Sequence, residues 1–165
     1  MRRLRFPRGL LDPTAPVERA LRCIPSPARR LWALGLAGWT HDDTTVAQTI
    51  ATLRECQDDS GRWCSTQGNR AVLETAVALL GLASVRENMR RPYVRLAVDW
   101  LVAAQHEDGG FGLEPDADAD AETAGVVLLA LLDAGEGRSL AAHDVAAWLS
   151  KRLERSEDRC ADSLL

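Results

Sequence analysis

Apolar residues along this 165-residue chain recur with the period of an α-helix and are interrupted by short polar segments that contain glycine. The spacing predicts seven helices, at residues 16–24, 27–38, 44–57, 71–86, 92–105, 121–134 and 139–155. Pro92 suits the first turn of a helix, and Ser139 suits an N-cap. No alternation of the kind that predicts β-strands competes with this pattern, so we expect an all-α fold.

The predicted helices are of two kinds. Those at residues 44–57 and 92–105 are amphipathic, whereas those at 71–86 and 121–134 are apolar on nearly all sides. A helix that is apolar all round should be buried on every side, with the amphipathic helices covering it. This predicts inner helices ringed by outer helices, as in a helical toroid or solenoid.

The chain repeats itself with an offset of 48 residues. This offset places Gln57 on Gln105, and it also places Glu74-Thr75-Ala76 on Glu122-Thr123-Ala124. Two glycine-containing loops, at residues 58–63 and 106–111, lie between the matched segments. One offset that aligns a helix end, a loop and the next helix start indicates a repeated helical hairpin.

Composition and charge exclude several classes of protein. The formal net charge of −4 gives no basic surface of the kind that a general nucleic-acid binder needs. The basic N-terminus has no apolar segment behind it, as a secretory signal would, and no apolar run reaches the ~20 residues of a membrane span. We therefore expect a soluble, cytoplasmic protein. Residues 1–14 should form a loosely ordered basic segment, residues 15–155 the helical-repeat domain and residues 156–165 a tail.

The cysteines do not form a recognisable ligand set. Cys23, Cys56, Cys64 and Cys160 include no CxxC pair, whereas a structural zinc site takes paired ligands at short spacing. We expect buried or idle thiols in a reducing compartment. The alternative is that Cys56 and Cys64 lie near each other around one loop.

The second copy of the repeat resembles a known family. Residues 95–101 (RLAVDWL), Gln105 and residues 108–112 (DGGFG) resemble the QW repeat of squalene-type cyclases and the DGGFG loop of protein prenyltransferase β subunits. The first copy is a looser match, with Leu53, Gln57, Gly61 and Trp63. The glutamine at the end of an outer helix can satisfy unpaired backbone groups, and the glycines permit a tight loop.

The resemblance covers residues 44–135 and implies a partial α/α toroid of helical hairpins, about half the family's length. It also implies a central cavity, lined by aromatic side chains, that holds a polyprenyl chain. Trp32 and Trp39, near the ends of a predicted inner helix, are therefore candidate substrate-binding residues.

The resemblance implies where an acid would lie. Class II cyclases carry a DxDDTA motif at the head of an inner helix, and its middle acid protonates an alkene or epoxide. The corresponding segment here is residues 115–124 (PDADADAETA), in which Glu122 stands for the last acid and Ala121 takes the donor's position. Asp118 and Asp120 could serve as the donor only if the loop slips by a residue.

Asp118, Asp120 and Glu122 are therefore the candidate catalytic acids, and Asp116 is a further candidate for substrate binding. Clustered carboxylates raise one another's pKa values and can retain a proton for acid catalysis. Two other interpretations stay open: a magnesium site, and a solvated loop whose last acids favour a helix N-terminus.

A zinc cofactor is not expected. Prenyltransferase β subunits hold zinc with Asp, Cys and His, and the matching positions around Glu74 and Glu122 carry no cysteine. Magnesium at the acidic loop is the one cofactor that the sequence leaves open.

The leading functional hypothesis is a small terpene-cyclase-like enzyme or enzyme subunit that binds a hydrophobic, isoprenoid or polyene-like substrate and cyclises it by acid catalysis. The rival is a non-catalytic carrier of hydrophobic ligands, or a subunit that completes another chain's toroid. A half-length toroid leaves inner helices open, which favours a homodimer or a hetero-partner. A third hypothesis is that the chain keeps the fold and performs unrelated chemistry.

Overall fold

The computed structural model describes residues 26–64 and 70–162, with side chains as far as residue 154. These residues form six helices: α1 (Pro27–Leu36), α2 (Thr44–Glu55), α3 (Ala71–Ser84), α4 (Pro92–Ala103), α5 (Ala121–Asp133) and α6 (Leu140–Asp162). The same residues contain no strand, and Gln57 and Trp63 form an isolated antiparallel bridge. The all-α prediction is confirmed. The helix predicted at residues 16–24 lies outside the described residues.

The helix starts agree with the sequence prediction better than the helix ends. Pro92 opens α4, and Ser139 Oγ accepts a hydrogen bond from the Ala142 N–H group at 3.2 Å, as an N-cap does. Helices α1 to α5 end one or two residues before their predicted ends, because turns follow them. Gly38 and Gly135, with φ of +88° and +87°, take the left-handed conformation in two of these turns. Helix α6 continues beyond its predicted end, to Asp162.

Helix α3 lies between α1 and α5, and these three helices are the inner layer of the fold. Eleven residues of α3 are buried, and Leu79 and Leu82 are fully covered. Helix α5 buries only one side, and Leu129 is 57% exposed on the other. The prediction that both helices are buried all round is therefore wrong for α5, because α5 packs against α3 and α6 and leaves its remaining face to solvent.

Small residues allow α1 and α3 to pack closely. A side-chain carbon added at Gly81 would lie 2.6 Å from the Ala28 carbonyl oxygen, and one added at Gly35 would collide with Ser84. Ser84 Oγ also donates to the Leu31 carbonyl oxygen at 3.2 Å. The backbones of these two helices therefore meet without intervening side chains.

Gln57 connects the first hairpin loop to the next outer helix. Its Nε2 atom donates to the Gly61 carbonyl at 2.7 Å and to the Tyr93 carbonyl, in the first turn of α4, at 2.9 Å. The loop also approaches α4 closely, since a side-chain carbon at Gly61 would lie 2.6 Å from the Leu96 carbonyl oxygen. Trp63, 3% exposed, is inserted below the loop and donates from Nε1 to the Leu53 carbonyl at 2.7 Å.

The second hairpin loop repeats these contacts 48 residues later. Gln105 Nε2 donates to the carbonyls of Gly109 and Ala141, both at 3.0 Å, and Ala141 is in the first turn of α6. A side-chain carbon at Gly109 would lie 2.8 Å from the Asp144 carbonyl oxygen. Phe111 is fully buried at the position that Trp63 has in the first loop. The 48-residue repeat in the sequence is therefore also a repeat of these contacts in the structure.

No helix in residues 26–64 or 70–162 combines the length and the apolar character that crossing a membrane requires.

Candidate functional site

The predicted acidic residues lie in the segment that leads from the second hairpin loop into α5. Asp116 and Asp118 are exposed in this segment, and Asp120 is the N-cap of α5. Asp120 Oδ1 accepts a hydrogen bond from the Thr123 N–H group at 2.8 Å. The carboxylate of Asp120 therefore has a structural partner at the helix start, where its side chain caps α5.

The backbone of the acidic segment folds back on the hairpin loop. The Asp120 N–H group donates to the Phe111 carbonyl at 3.0 Å, and Ala117 N–H donates to Glu114 at 3.1 Å. A side-chain carbon at Gly112 would collide with the carbonyl of Ala117. Because these contacts fix the segment at both ends, Asp120 is held at the helix start.

Glu122 differs from the other acids because it shares a helix face with exposed apolar residues. Gly125, Leu129 and Leu132 follow it at helical spacing, and the two leucines are 57% and 48% exposed. A side-chain carbon added at Gly125 would meet no atom within 4 Å, so the space beside this face is open. The structure thus places the Glu122 carboxyl group, at the start of α5, on the same helix face as the exposed Leu129 and Leu132. We call Glu122, Gly125, Leu129 and Leu132 the α5 stripe.

The repeat counterpart of Glu122 has a different environment. Glu74 is 7% exposed, and its Oε1 atom accepts a hydrogen bond from Arg29 Nη2 of α1 at 2.7 Å. Among the residues whose side chains the structure describes, none forms an ion pair with Glu122, which is exposed. Glu74 therefore links two inner helices, whereas Glu122 faces solvent. The sequence could not distinguish them, because the difference depends on a third helix.

The two tryptophans predicted to bind substrate lie in different environments. Trp32 is 43% exposed on α1, and Leu36, one turn further along, is 72% exposed. Trp39 follows α1 and packs, half-buried, against the hydrophobic core. Trp32 is therefore accessible to a ligand on the surface of α1, whereas Trp39 is partly covered by the hydrophobic core.

Thr123 is a feature that the sequence analysis did not identify. Its Oγ1 atom is buried and makes no hydrogen bond to the described residues. In the first copy, Thr75 Oγ1 accepts a hydrogen bond from the Trp63 N–H group at 2.9 Å. The repeated Glu-Thr-Ala triplet is the sequence signal that points to Thr123. Only the structure shows that the Thr123 hydroxyl lacks the hydrogen bond that Thr75 makes to the described residues.

The acidic segment does not have the geometry of a metal site. Among the described residues, no group of three or more His, Cys, Asp or Glu side chains converges in a way that could hold a metal ion. The residues present therefore do not fit magnesium at this segment, or zinc at the heads of α3 and α5.

The arrangement of inner and outer helices, repeated at a fixed offset, matches a described protein family. Residues 23–159 match the family model of the squalene-hopene cyclase C-terminal domain. The chain belongs to this family. Its members have the α/α toroid type of fold, in agreement with the packing of α1 to α6.

Three curated relatives are squalene–hopene cyclases. The chain is 33% identical over 104 residues to a probable squalene–hopene cyclase of Sinorhizobium fredii, covering 63% of this chain and 15% of that protein. It is 33% identical over 104 residues to the squalene–hopene cyclase of Bradyrhizobium diazoefficiens, covering 55% of this chain and 16% of the relative. With the Zymomonas mobilis enzyme it shares 28% identity over 154 residues, or 87% of this chain and 22% of the relative. The matched region is thus less than a quarter of each relative.

Proposed function

We propose that this chain binds a hydrophobic, isoprenoid or polyene-like substrate against its inner helices, and that Glu122 protonates a double bond of that substrate to start cyclisation. The observation that carries the proposal is the position of Glu122 at the head of the α5 stripe, beside the exposed side chains of Leu129 and Leu132. The similarity to enzymes named squalene–hopene cyclases supports a polyene as the substrate class.

A carboxylic acid can protonate an alkene only if water does not take the proton first. A polyene chain lying along Leu129 and Leu132 would exclude water from the Glu122 carboxyl group. The open space beside Gly125 leaves room for such a chain. The carbocation that protonation creates is stabilised by aromatic faces, and Trp32 is the exposed aromatic residue of the inner helices.

The remaining acids have supporting parts in this proposal. Asp120 keeps the first turn of α5 in place through its hydrogen bond to the Thr123 N–H group. Asp118 is the second candidate proton donor, and Asp116 is a candidate for contact with a polar end of the substrate, because both are exposed in the same segment.

The test is an incubation of the purified full chain with squalene and with shorter polyprenyl substrates, followed by mass spectrometry of the products. We expect a cyclised product from the unmodified chain and its loss in Glu122→Gln. Glu55→Gln is the matched control, because Glu55 is exposed at the end of the outer helix α2. If the unmodified chain yields no product, or if Glu122→Gln keeps full activity, this proposal is wrong.

The second candidate function is non-catalytic: a carrier of hydrophobic ligands, or a subunit that completes a toroid with a second copy or another chain. Two sets of exposed apolar residues favour it, Trp32 with Leu36 on α1 and Leu129 with Leu132 on α5. Monomeric soluble proteins seldom leave large contiguous apolar patches open.

Native mass spectrometry of freshly purified protein separates these candidates, because it reports the oligomeric state and bound apolar molecules together. A carrier should show an adduct that Leu129→Asp removes, and a toroid subunit should show a dimer that the same substitution dissociates. Leu153→Asp is the control, since Leu153 is 66% exposed and belongs to the outer helix α6. A bare monomer in all three samples would contradict the carrier and the homodimer, and would leave completion by another chain as the remaining version.

A further inference from the structure

Cys56 lies just before the first hairpin loop and Cys64 directly follows it, and both thiols are free and exposed. Of the expectation of buried or idle thiols, burial is therefore wrong for this pair; the side chains of Cys23 and Cys160 lie outside the described residues. Cys56 is the C-cap of α2, and Cys64 directly follows the buried side chain of Trp63.

The loop closes as a short antiparallel ribbon. Gln57 and Trp63 form a bridge pair, and the Asp58 N–H group donates to the Arg62 carbonyl at 3.1 Å. Cys56 directly precedes Gln57 and Cys64 directly follows Trp63, so the two cysteines flank the bridged pair. The Cα atoms of a bridged pair are about 4.5–5.5 Å apart, which brings the flanking residues near the roughly 4.4–6.8 Å that a disulfide spans.

The side chains of the loop alternate between an inner and an outer face. Successive residues of an extended strand point to opposite faces. Gln57 and Trp63 point toward the protein, where both make hydrogen bonds. Asp58 and Arg62 therefore share the outer face, and their side chains do meet there, with Arg62 Nε donating to Asp58 Oδ2 at 2.7 Å. Cys64, two residues after Arg62, belongs to that outer face by the same alternation, and Cys56 is exposed at the end of α2, where it has helical dihedral angles (φ −88°, ψ −4°).

The Arg62 guanidinium and the Cys64 sulfur lie close enough to interact electrostatically. The pKa of Arg62 is raised, first by its hydrogen bond to Asp58 and next by the charge of the Cys64 sulfur. This proximity agrees with the alternation of side chains, which places residues 62 and 64 on one face.

The second copy of the repeat shows that the loop does not need these cysteines. Ala104 and Gly112 take the corresponding positions, 48 residues later. The second loop closes with the same backbone hydrogen bond, from the His106 N–H group to the Gly110 carbonyl at 3.1 Å. The two thiols are thus an addition to the first loop and not a requirement of the fold.

We propose that Cys56 and Cys64 form a reversible intramolecular disulfide, which makes this pair an oxidation site at the end of α2. The oxidant is a low-molecular-weight disulfide. The thiolate of one cysteine attacks it, giving a protein–small-molecule mixed disulfide and releasing one small thiol. The second cysteine then displaces the other small thiol and completes the protein disulfide. The two protein thiols lose two protons and two electrons in total, and the oxidant is reduced to two thiols.

The experiment uses the full chain with Cys23→Ser and Cys160→Ser, so that only the two thiols of interest remain, and glutathione disulfide as the oxidant. Mass spectrometry should show the loss of two hydrogens and a cross-linked peptide pair containing Cys56 and Cys64. Adding Cys56→Ala should leave a stable glutathione adduct on Cys64, because no neighbouring thiol can displace it. Ala is also the residue of the second loop at this position, so this variant should fold.

A second measurement compares melting temperatures of the oxidised and reduced forms. Closing a short loop should raise the melting temperature by about 5 °C, and dithiothreitol should reverse the change. Two glutathione adducts on the dithiol protein without a cross-link would overturn the proposal, as would a protein that stays fully reduced while Cys56→Ala becomes glutathionylated.

Discussion

The side-chain amide of Gln105 lies 3.0 Å from the carbonyl oxygen of Ala141, which belongs to the next outer helix. The same amide nitrogen bonds to the Gly109 carbonyl of its own loop, so one side chain connects a helix end, a loop and the following helix. Gln57 has the same pair of partners in the first copy. The glutamine is therefore the residue that connects each hairpin to the next, and the loop glycine allows the close approach.

Gln105→Ala should destabilise the protein, because it removes two hydrogen bonds to carbonyl groups that are partly buried. We expect the free energy of unfolding to fall by about 1–3 kcal/mol. Urea unfolding followed by circular dichroism measures this, provided that the m-value stays unchanged. The control is Gln48→Ala on the exposed side of α2, which should change stability by less than about 0.5 kcal/mol. Equal effects of the two substitutions would contradict the connecting role.

Gly109→Ala should be more harmful than Gly135→Ala, although both glycines have a positive φ, of +89° and +87°. At Gly135 an added carbon meets no atom within 4 Å, so the cost is backbone strain alone, about 1–2 kcal/mol. At Gly109 the added carbon also meets the Asp144 carbonyl at 2.8 Å, which should add about 1–3 kcal/mol. Thermal unfolding of both variants measures the difference, and comparable losses would mean that α6 moves away without cost.

Glu74→Ala should cost more stability than Glu122→Ala, although the repeat places the two residues at equivalent positions. The first substitution removes the charge-assisted hydrogen bond to Arg29, and we expect a loss of about 1–2 kcal/mol, reduced by the partial exposure of Arg29. The second removes an exposed carboxylate near a helix N-terminus, for which a loss below about 1 kcal/mol is expected. Chemical denaturation of the two variants in one buffer tests the order, and a larger loss for Glu122→Ala would contradict it.

Tyr93 should titrate well above the ordinary range of a phenol. Burial raises its pKa to about 12, with the carboxylate of Glu87 adding to the effect. Since the folded-state pKa lies above the unfolded value of about 10, this group's contribution to stability is complete below pH 10 and is lost as the pH rises toward 12. The chain has one tyrosine, so phenolate absorbance near 295 nm reports Tyr93 alone. At pH 11 the folded protein should show little phenolate and the urea-unfolded protein mostly phenolate; the same spectrum in both would contradict the prediction.

The sequence predicted the fold well because the fold is determined locally. Helical periodicity and loop glycines lie within single hairpins, and the offset of 48 residues reappears in the contacts of Gln57 and Gln105. The site was less predictable, because its properties depend on neighbours distant in the sequence. Whether a glutamate at the head of an inner helix is buried depends on Arg29, and whether Leu129 is covered depends on which helices pack against α5.

The hydrogen bonds made by Gln57 and Gln105 make the order of the repeats matter for unfolding, because each joins a hairpin loop to the outer helix that follows it. Each loop donates to the outer helix that follows it, so unfolding of α6 leaves the amide of Gln105 without one of its acceptors. Unfolding of α2 has a smaller effect on α4, because the Tyr93 carbonyl can still accept within its own helix. Fraying should therefore spread from the C-terminal repeat toward the N-terminal one more readily than in reverse. Amide hydrogens of the second loop should then exchange together with those of α6, and amide hydrogens of α4 should stay protected when α2 opens.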